Sequence, residues 1–361
     1  MNFDYSEEQQ LLADSVRRYL AKSYDFEARK KIVAGEGWSA EAWAQFAQIG
    51  LTGVPISAEH GGFGGGAVDL MGVMEAFGEA LVVEPYLSLV LAARLIERGG
   101  SAAQKQALLP VVVEGRVKLA FAHQEEGARY AVDAVRTKAT RKGAGWLLEG
   151  EKRAVTGAPL AEHLVVSARA GDGIALFLID RAKAQVRARR TMDERLAGDV
   201  VLHGAQAERI DGGLPAIEEA MDFGTALVCA EAVGVMKFAC DTTLEYLKTR
   251  KQFGVPIGTF QALQHRMVDM FIALEQARSM ACLACSTVDG GASPAAVARS
   301  ISAAKIKIAD AARHISQEAV QLHGGMGMSE ELKVSHAFRR LTVIAREFGD
   351  ADHHLARFAS L

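Results

Sequence analysis

Cysteine, proline and tryptophan are scarce in this 361-residue chain, which holds four, seven and three of them. Four cysteines in a chain of this length cannot form the dense disulfide framework of a small secreted domain. Cys229, Cys240, Cys282 and Cys285 all lie in segments with helical patterning. Cys282 and Cys285 make a CxxC, but no second CxxC or His pair stands at zinc-finger spacing, and the four read as buried small hydrophobes. An excess of one charge is also lacking. With 41 basic and 44 acidic residues the net charge is −3, which gives no electrostatic reason to bind nucleic acid or an anionic membrane. Local basic sites for a phosphorylated ligand stay open. The opening MNFDYSEEQQLLADSV lacks the basic and apolar regions of a signal peptide. The most apolar stretch of the first half, around residues 86–95, is too short to span a bilayer. The expectation is a soluble, cytoplasmic protein with no membrane span and no metal site.

What is present is texture that changes along the chain. A length of 361 residues is more than one core usually serves. Residues 1–115 read as a helical domain. Ser6 followed by Glu7 and Glu8 is an N-cap signal, and Leu11, Leu12, Val16 and Leu20 recur at helical spacing. A second helix is expected near 39–49, others at 67–78, after Pro85 and at 102–114, with the glycine run 61–66 as a loop. Residues 116–212 change to short, branched, apolar segments separated by turn signals such as Gly171-Asp172-Gly173, the spacing of an antiparallel β-barrel or sandwich. From 213 to 361 helical periodicity returns in four long elements, near 215–250, 260–288, 293–323 and 331–359. Such a pattern predicts a C-terminal four-helix bundle. The fold class is therefore mainly α with a central β domain.

Two stretches between bundle helices carry chemistry. In the first, Arg250-Lys251-Gln252-Phe253-Gly254 leads through Pro256 and Gly258 to Phe260, Gln261 and His265. A guanidinium at a helix end offers a planar fork to phosphate oxygens, and the same residues serve equally as a capped interhelical loop. In the second, Gln321-Leu322-His323-Gly324-Gly325-Met326-Gly327-Met328-Ser329-Glu330-Glu331 is a glycine-rich turn. It lets a ligand approach the backbone closely, or simply makes a tight turn in which Ser329 caps the next helix.

Taken together, RxQFGxPIxxFQxxQH followed by QLHGGxGMxxE resembles the C-terminal bundle of the acyl-CoA dehydrogenase family. VPISAEHGGFG at 54–64 and Gly150-Glu151-Lys152 ahead of Thr156 extend the resemblance over nearly the whole chain. The ending FGDADHHLARFA, 348–359, is similar to the small subunit of pimeloyl-CoA dehydrogenases and to paired subunits of steroid side-chain degradation. The resemblance implies FAD as cofactor and an acyl-CoA thioester as substrate. A carboxylate removes the Cα proton, hydride leaves Cβ for the flavin, and a trans-2-enoyl-CoA results. Electrons then pass to an electron-transferring flavoprotein.

Carried over residue by residue, the resemblance assigns Arg250, Gln252, Phe253 and Gln261 to the FAD of a neighbouring subunit. Gln321, Gly324 and Gly325 fall on its adenine and ribose side, and Thr156 on the flavin side. The family's flavin loop corresponds to Gln124-Glu125-Glu126-Gly127-Ala128-Arg129-Tyr130, whose acids ill suit a pyrophosphate. Its flavin-packing aromatic falls on Ala154. The base position falls on Phe348, and the family's alternative base position near Gly224, so the catalytic residue is unknown. Glu347, Asp350 and Glu231 are weak candidates, and Glu347 is expected to point elsewhere on a continuous helix. Arg129, Arg153, Arg339 and Arg340 are either solvated surface residues or partners for a substrate carboxylate or CoA phosphates. The expectation is a heterotetramer in which this smaller chain completes a sister subunit's FAD site. A self-sufficient homotetramer with a displaced base, an oxidase of the same fold and a silent scaffold are the alternatives.

Overall fold

The computed structural model describes residues 5–171 and 173–361. The chain divides into two compact units. One comprises Met1–Lys30, Ala67–Val82 and Thr225–Leu361, the other Lys31–Gly66 and Val83–Gly224. Helix α1 (Glu7–Ser23) begins at the capping box the sequence signals: Gln9 N–H donates to Ser6 Oγ at 3.2 Å and Ser6 N–H to Gln9 Oε1 at 2.9 Å. Helix α2 (Phe26–Ala34) is additional to the expected elements; Asp25 caps it, and its buried Arg29 donates to the Leu81 carbonyl at 2.8 Å. Helix α3 (Ala40–Ile49) is capped by Ser39 and ends at left-handed Gly50. After the glycine loop come α4 (Ala67–Ala80), α5 (Tyr86–Gly99) and α6 (Ala102–Val113). Gly62 is required in that loop, since a Cβ there would stand 2.1 Å from the Ile56 carbonyl oxygen.

The second unit holds the sheet, formed by β1 (Leu119–Ala122), β2 (Lys138–Lys142), β3 (Gly145–Thr156), β4 (His163–Ala170), β5 (Gly173–Asp180), β6 (Gln185–Arg190) and β7 (Leu196–Ile210). The pairings β4–β2, β2–β3, β3–β7, β7–β5 and β5–β4 return to their starting strand, and β6 extends β7. The sheet is not wholly antiparallel as expected: β1 runs parallel to β4 over its full length, and β2 touches β4 in parallel. Parallel neighbours need a long crossover, which the loop after β1 and the β2–β3 hairpin supply. Leu148, Leu164, Val166, Phe177, Val200 and Leu202 fill the core with no exposed surface. At 153–154 the β3–β7 register shifts, leaving a bulge opposite Asp199.

The C-terminal part comprises α7 (Gly213–Thr249), the hairpin β8 (Lys251–Gln252) and β9 (Val255–Pro256), α8 (Gln261–Asp289), α9 (Pro294–His323), a 3₁₀ turn (Gly324–Met328), α10 (Lys333–Ile344) and α11 (Ala351–Ser360). The expected fourth long helix is two helices. Phe348 and Gly349 take φ of 60° and 123°, and Asp350 restarts the chain as the cap of α11, accepting from His353 N–H at 2.9 Å. By length and composition α7 could cross a membrane, but 89% of its most apolar window is buried as core. In the first unit it crosses α4 at reciprocal glycines. A Cβ on Gly234 would lie 1.9 Å from the Glu75 carbonyl oxygen, and one on Gly78 would lie 2.1 Å from that of Glu231. Asp289, at the end of α8, accepts from the N–H groups of Ala67 and Val68 and so caps α4.

Candidate active-site elements

Arg250, Gln252, Phe253, Gln261, Gln321, Gly324 and Gly325 all fall in the first unit. The last turns of α7 and α9 meet through Tyr246 and His323, whose rings stack at 4.4 Å, so the loops that follow leave from adjacent helix ends. Burial holds the His323 imidazole below its usual pKa, and its Nδ1 lies 2.8 Å from the Ala319 carbonyl. The ring is a neutral packing element. The Arg250 guanidinium is exposed and has no ion pair among the described residues. Phe253 is 91% exposed, left-handed at φ 53°, and edge-on to Phe260 at 6.1 Å. An exposed aromatic on a strained backbone is costly unless something covers it. Gly324 and Gly325 have open space where a Cβ would stand. Ser329 Oγ accepts from Glu331 N–H at 3.2 Å, but α10 starts later, behind Leu332. A free guanidinium, exposed amides, an uncovered ring and bare glycines fit a phosphate- and ring-bearing ligand.

The base position has different surroundings. Phe348 occupies a turn, not a helix, so the helical rotation expected to turn Glu347 away does not apply. Ion pairing restrains Glu347 instead. Its Oε2 lies 3.0 Å from Arg340 Nη1, at an angle that makes an ion pair and not a hydrogen bond. Arg340, expected at the surface, is buried: its Nε and Nη2 donate to the two oxygens of fully buried Glu231, both at 2.7 Å. Arg339 is half-buried beside His336 and Glu330. Asp350 is engaged as the α11 cap. Gly224 is buried within α7. Under the turn, Lys305 Nζ donates to the Gly349 carbonyl at 2.6 Å, and His354 Nε2 lies 3.2 Å from the Phe348 carbonyl. Burial pushes the Lys305 ammonium below its usual range. Burial, with Lys305 beside it, lowers His354 to about 3, leaving its ring neutral. Sequence reasoning missed this clamp, although Lys305 interrupts the apolar face formed by Ile301, Ile308 and Ala312.

In the second unit the loop after β1 is braced, not open. Glu125, one of the acids that ill suit a pyrophosphate at this loop, is buried. It accepts from Lys152 Nζ at 2.7 Å, from Thr137 N–H at 3.0 Å and Oγ1 at 2.7 Å, and from Arg136 N–H at 2.8 Å. Burial alone would raise its pKa, but the Lys152 ammonium and the Thr137 donors outweigh it and hold the carboxyl at about 2. Burial and the same ammonium lower His123 to about 4, and its Nδ1 lies 2.9 Å from Ser167 Oγ. At the bulge, Asp199 accepts from Ala154 N–H at 2.9 Å, from Arg153 at 3.0 Å and from Arg189. Arg153 also meets Glu126 at 3.2 Å and Glu151 at 3.0 Å. Ala154 is itself left-handed, at φ 51°, and so is Arg129, at 49°. Thr156 is half-buried, and its carbonyl accepts from Ser88 Oγ at 2.7 Å. Ionic groups surround the position where the resemblance places an aromatic. The thiols of Cys229, Cys240 and Cys285 are buried and Cys282 is half-buried; all four are free.

Three family models match the chain: the acyl-CoA dehydrogenase N-terminal domain over residues 6–116, the middle domain over 120–202 and the C-terminal domain over 211–359. The chain belongs to the acyl-CoA dehydrogenase family. It is similar to the caffeyl-CoA reductase-Etf complex subunit CarC of Acetobacterium woodii, with 27% identity over 93% of each chain. Among solved structures it is similar to the ChsE4-ChsE5 complex from Mycobacterium tuberculosis, with 27% identity, TM-score 0.92 and coverage of 100% and 98%. The FAD complex of PigA is similar at 26% identity, TM-score 0.91 and the same coverage. The acyl-CoA dehydrogenase is thus a flavin-dependent oxidoreductase with a helical, a β and a second helical part in that order, and FAD is its cofactor.

Proposed function

We propose that this chain is the smaller subunit of a two-chain acyl-CoA dehydrogenase, of the kind found in pimeloyl-CoA dehydrogenases, and that it completes a sister subunit's FAD site. The reaction is the α,β-dehydrogenation of an acyl-CoA thioester to a trans-2-enoyl-CoA. FAD supplies the hydride acceptor, and an electron-transferring flavoprotein takes the electrons onward. The observation that carries the reading is the commitment of every candidate base. Phe348 stands at the base position, Glu347 pairs with Arg340, Glu231 holds the same guanidinium at two points, and Asp350 caps α11.

A carboxylate fixed against a buried guanidinium, or spent on capping a helix, is not free to turn toward a substrate proton, and a base must come within hydrogen-bond reach of that proton. The sister subunit therefore supplies the base. This chain offers Arg250 to phosphate oxygens, the Gln252, Gln261 and Gln321 amides as donors, Phe253 as a stacking ring, and Gly324 and Gly325 as close-approach backbone. Thr156 and the ion-paired bulge at Ala154 make a poor home for a second flavin ring. The ChsE4-ChsE5 complex and the Etf complex of CarC support a paired assembly and an electron-transferring flavoprotein. The same reading divides the chain at residues 1–115, 116–212 and 213–361 and places it in the cytoplasm, acting in fatty acid or dicarboxylate degradation.

The test is Arg250→Gln in the complex as it co-purifies. Losing one charge-assisted phosphate contact is expected to weaken FAD retention by about 1.5–3 kcal/mol, roughly ten- to a hundredfold. Glu347→Gln should leave turnover within about twofold. Full FAD content with Arg250→Gln, or abolished turnover with Glu347→Gln, would send the reading back to a self-sufficient enzyme with a displaced base.

A further inference from the structure

The loops that follow α7 and α9 belong to different helices, and a dinucleotide spanning both feels any change in their spacing. Each loop is folded back on its parent helix. Gly258, at the end of the first, lies so close to α7 that a Cβ there would stand 2.9 Å from the Leu247 carbonyl oxygen. Gly327, in the second, lies so close to α9 that a Cβ there would stand 2.5 Å from the Val320 carbonyl oxygen. Arg250 N–H donates to the Tyr246 carbonyl at 2.8 Å, and the Arg250 carbonyl accepts from Ile257 N–H at 2.8 Å. Gly324 N–H donates to the Gln321 carbonyl. The last turn of α7 therefore places Arg250, and the last turn of α9 places Gly324. These two turns are tied by the stack of Tyr246 on His323, with centroids 4.4 Å apart and planes at 28°. His323 is buried and held through Nδ1 by the Ala319 carbonyl, so half-buried Tyr246 rests on a fixed ring. The Arg266–Glu318 pair, at 2.5 Å, ties α9 to α8 and leaves the end of α7 to the stack.

We propose that Tyr246 and His323 are positioning residues for FAD: their stack holds the α7 and α9 loops at the spacing at which Arg250 and Gln321 engage one dinucleotide. The inference rests on the reading of these loops as the face this chain offers to FAD. Neither ring needs to touch the cofactor. Without the stack each loop keeps its own shape, because Gly258 and Gly327 still seat on their helices. The spacing between the loops is then no longer set in advance, and the cost of fixing it falls on binding. Tyr246, His323, Arg250 and Gln321 all belong to one unit of this chain, so the brace is internal to it.

The test is the FAD affinity of the co-purified complex, read by flavin fluorescence, beside the far-UV thermal transition of each variant. The variants are Tyr246→Ala, His323→Ala, the two together, and the ring-keeping Tyr246→Phe and His323→Phe. Each alanine variant should weaken FAD about tenfold, and each phenylalanine variant should stay within about twofold of wild type. The double alanine variant should be no weaker than the weaker single, because both changes remove the same contact. His323→Phe is expected to fold, since the Ala319 carbonyl keeps its helical N–H donor. Unchanged affinity in both alanine variants, or additive losses in the double, overturns the proposal. So does a loss that follows a lowered transition and is not avoided by phenylalanine. Arg250→Gln separates this inference from the reading beneath it. If Arg250→Gln loses FAD and Tyr246→Ala keeps it, the brace fails and the reading of the loops stands. If Arg250→Gln keeps its FAD, the reading of the loops fails and the brace with it.

Discussion

Glu231→Gln separates a structural carboxylate from a catalytic one. Glu231 has no exposed surface and takes two hydrogen bonds of 2.7 Å from Arg340, which is 3% exposed. Glutamine keeps the shape but removes the charge, and one of its terminal atoms then presents N–H to a donor. The guanidinium stays buried with Glu347 at 3.0 Å as its remaining carboxylate. Breaking a buried pair from one side costs about 3–5 kcal/mol, and the second carboxylate should hold the loss near ~3. For a folding unit of 150–250 residues that lowers the melting temperature by roughly 6–12 °C. The assay is thermal unfolding by far-UV circular dichroism beside acyl-CoA turnover of the complex at a temperature where both proteins are folded. The expected outcome is a lower transition with turnover per folded molecule kept. A transition within about 1 °C of wild type with turnover abolished would refute the reasoning and make Glu231 the base.

Gly234→Ala places a methyl 1.9 Å from the Glu75 carbonyl oxygen, so α4 and α7 must move apart; a loss of about 2–3 kcal/mol and a lower urea midpoint are expected. Asp289→Ala removes the cap of α4 and should cost about 1–2 kcal/mol, read by the same titration. The Glu125 carboxyl, held at about 2, contributes stability that is fully present above the ordinary carboxylate pKa and fades as pH falls through that value toward 2. Glu125→Gln should therefore be less stable than wild type at pH 7, and the difference should shrink below pH 4.5 and close only as pH approaches about 2. Parallel urea midpoints across that range would contradict the assignment.

Much of the fold was legible because local chemistry and tertiary contact agree. Ser6 caps α1 as its position signals, and the β texture begins and ends where strands do. The parallel β1–β4 pair was not legible, since alternation tells which residues face inward and not which strand lies alongside. The break at 347–350 was hidden because apolar periodicity runs on from α10 into α11, and the clue was one glycine beside a left-handed Phe348. Arg340 looked solvated, yet it shares the apolar face of Ala337, Leu341 and Ile344, where a charge stays only if another carboxylate meets it. The ligand-facing loops were the most readable part of the candidate site. Gly324, Gly325 and Arg250 carry their meaning in residue type, whereas the clamps of Lys305 and Asp199 arise from contacts 44 and 45 residues apart.

The visible spectrum of this chain purified alone, and again with its sister subunit, tests the central claim most directly. The account predicts a colourless chain that contributes to a yellow complex bleached anaerobically by acyl-CoA. One flavin per chain in the isolated protein, bleached by the same substrate, would contradict it.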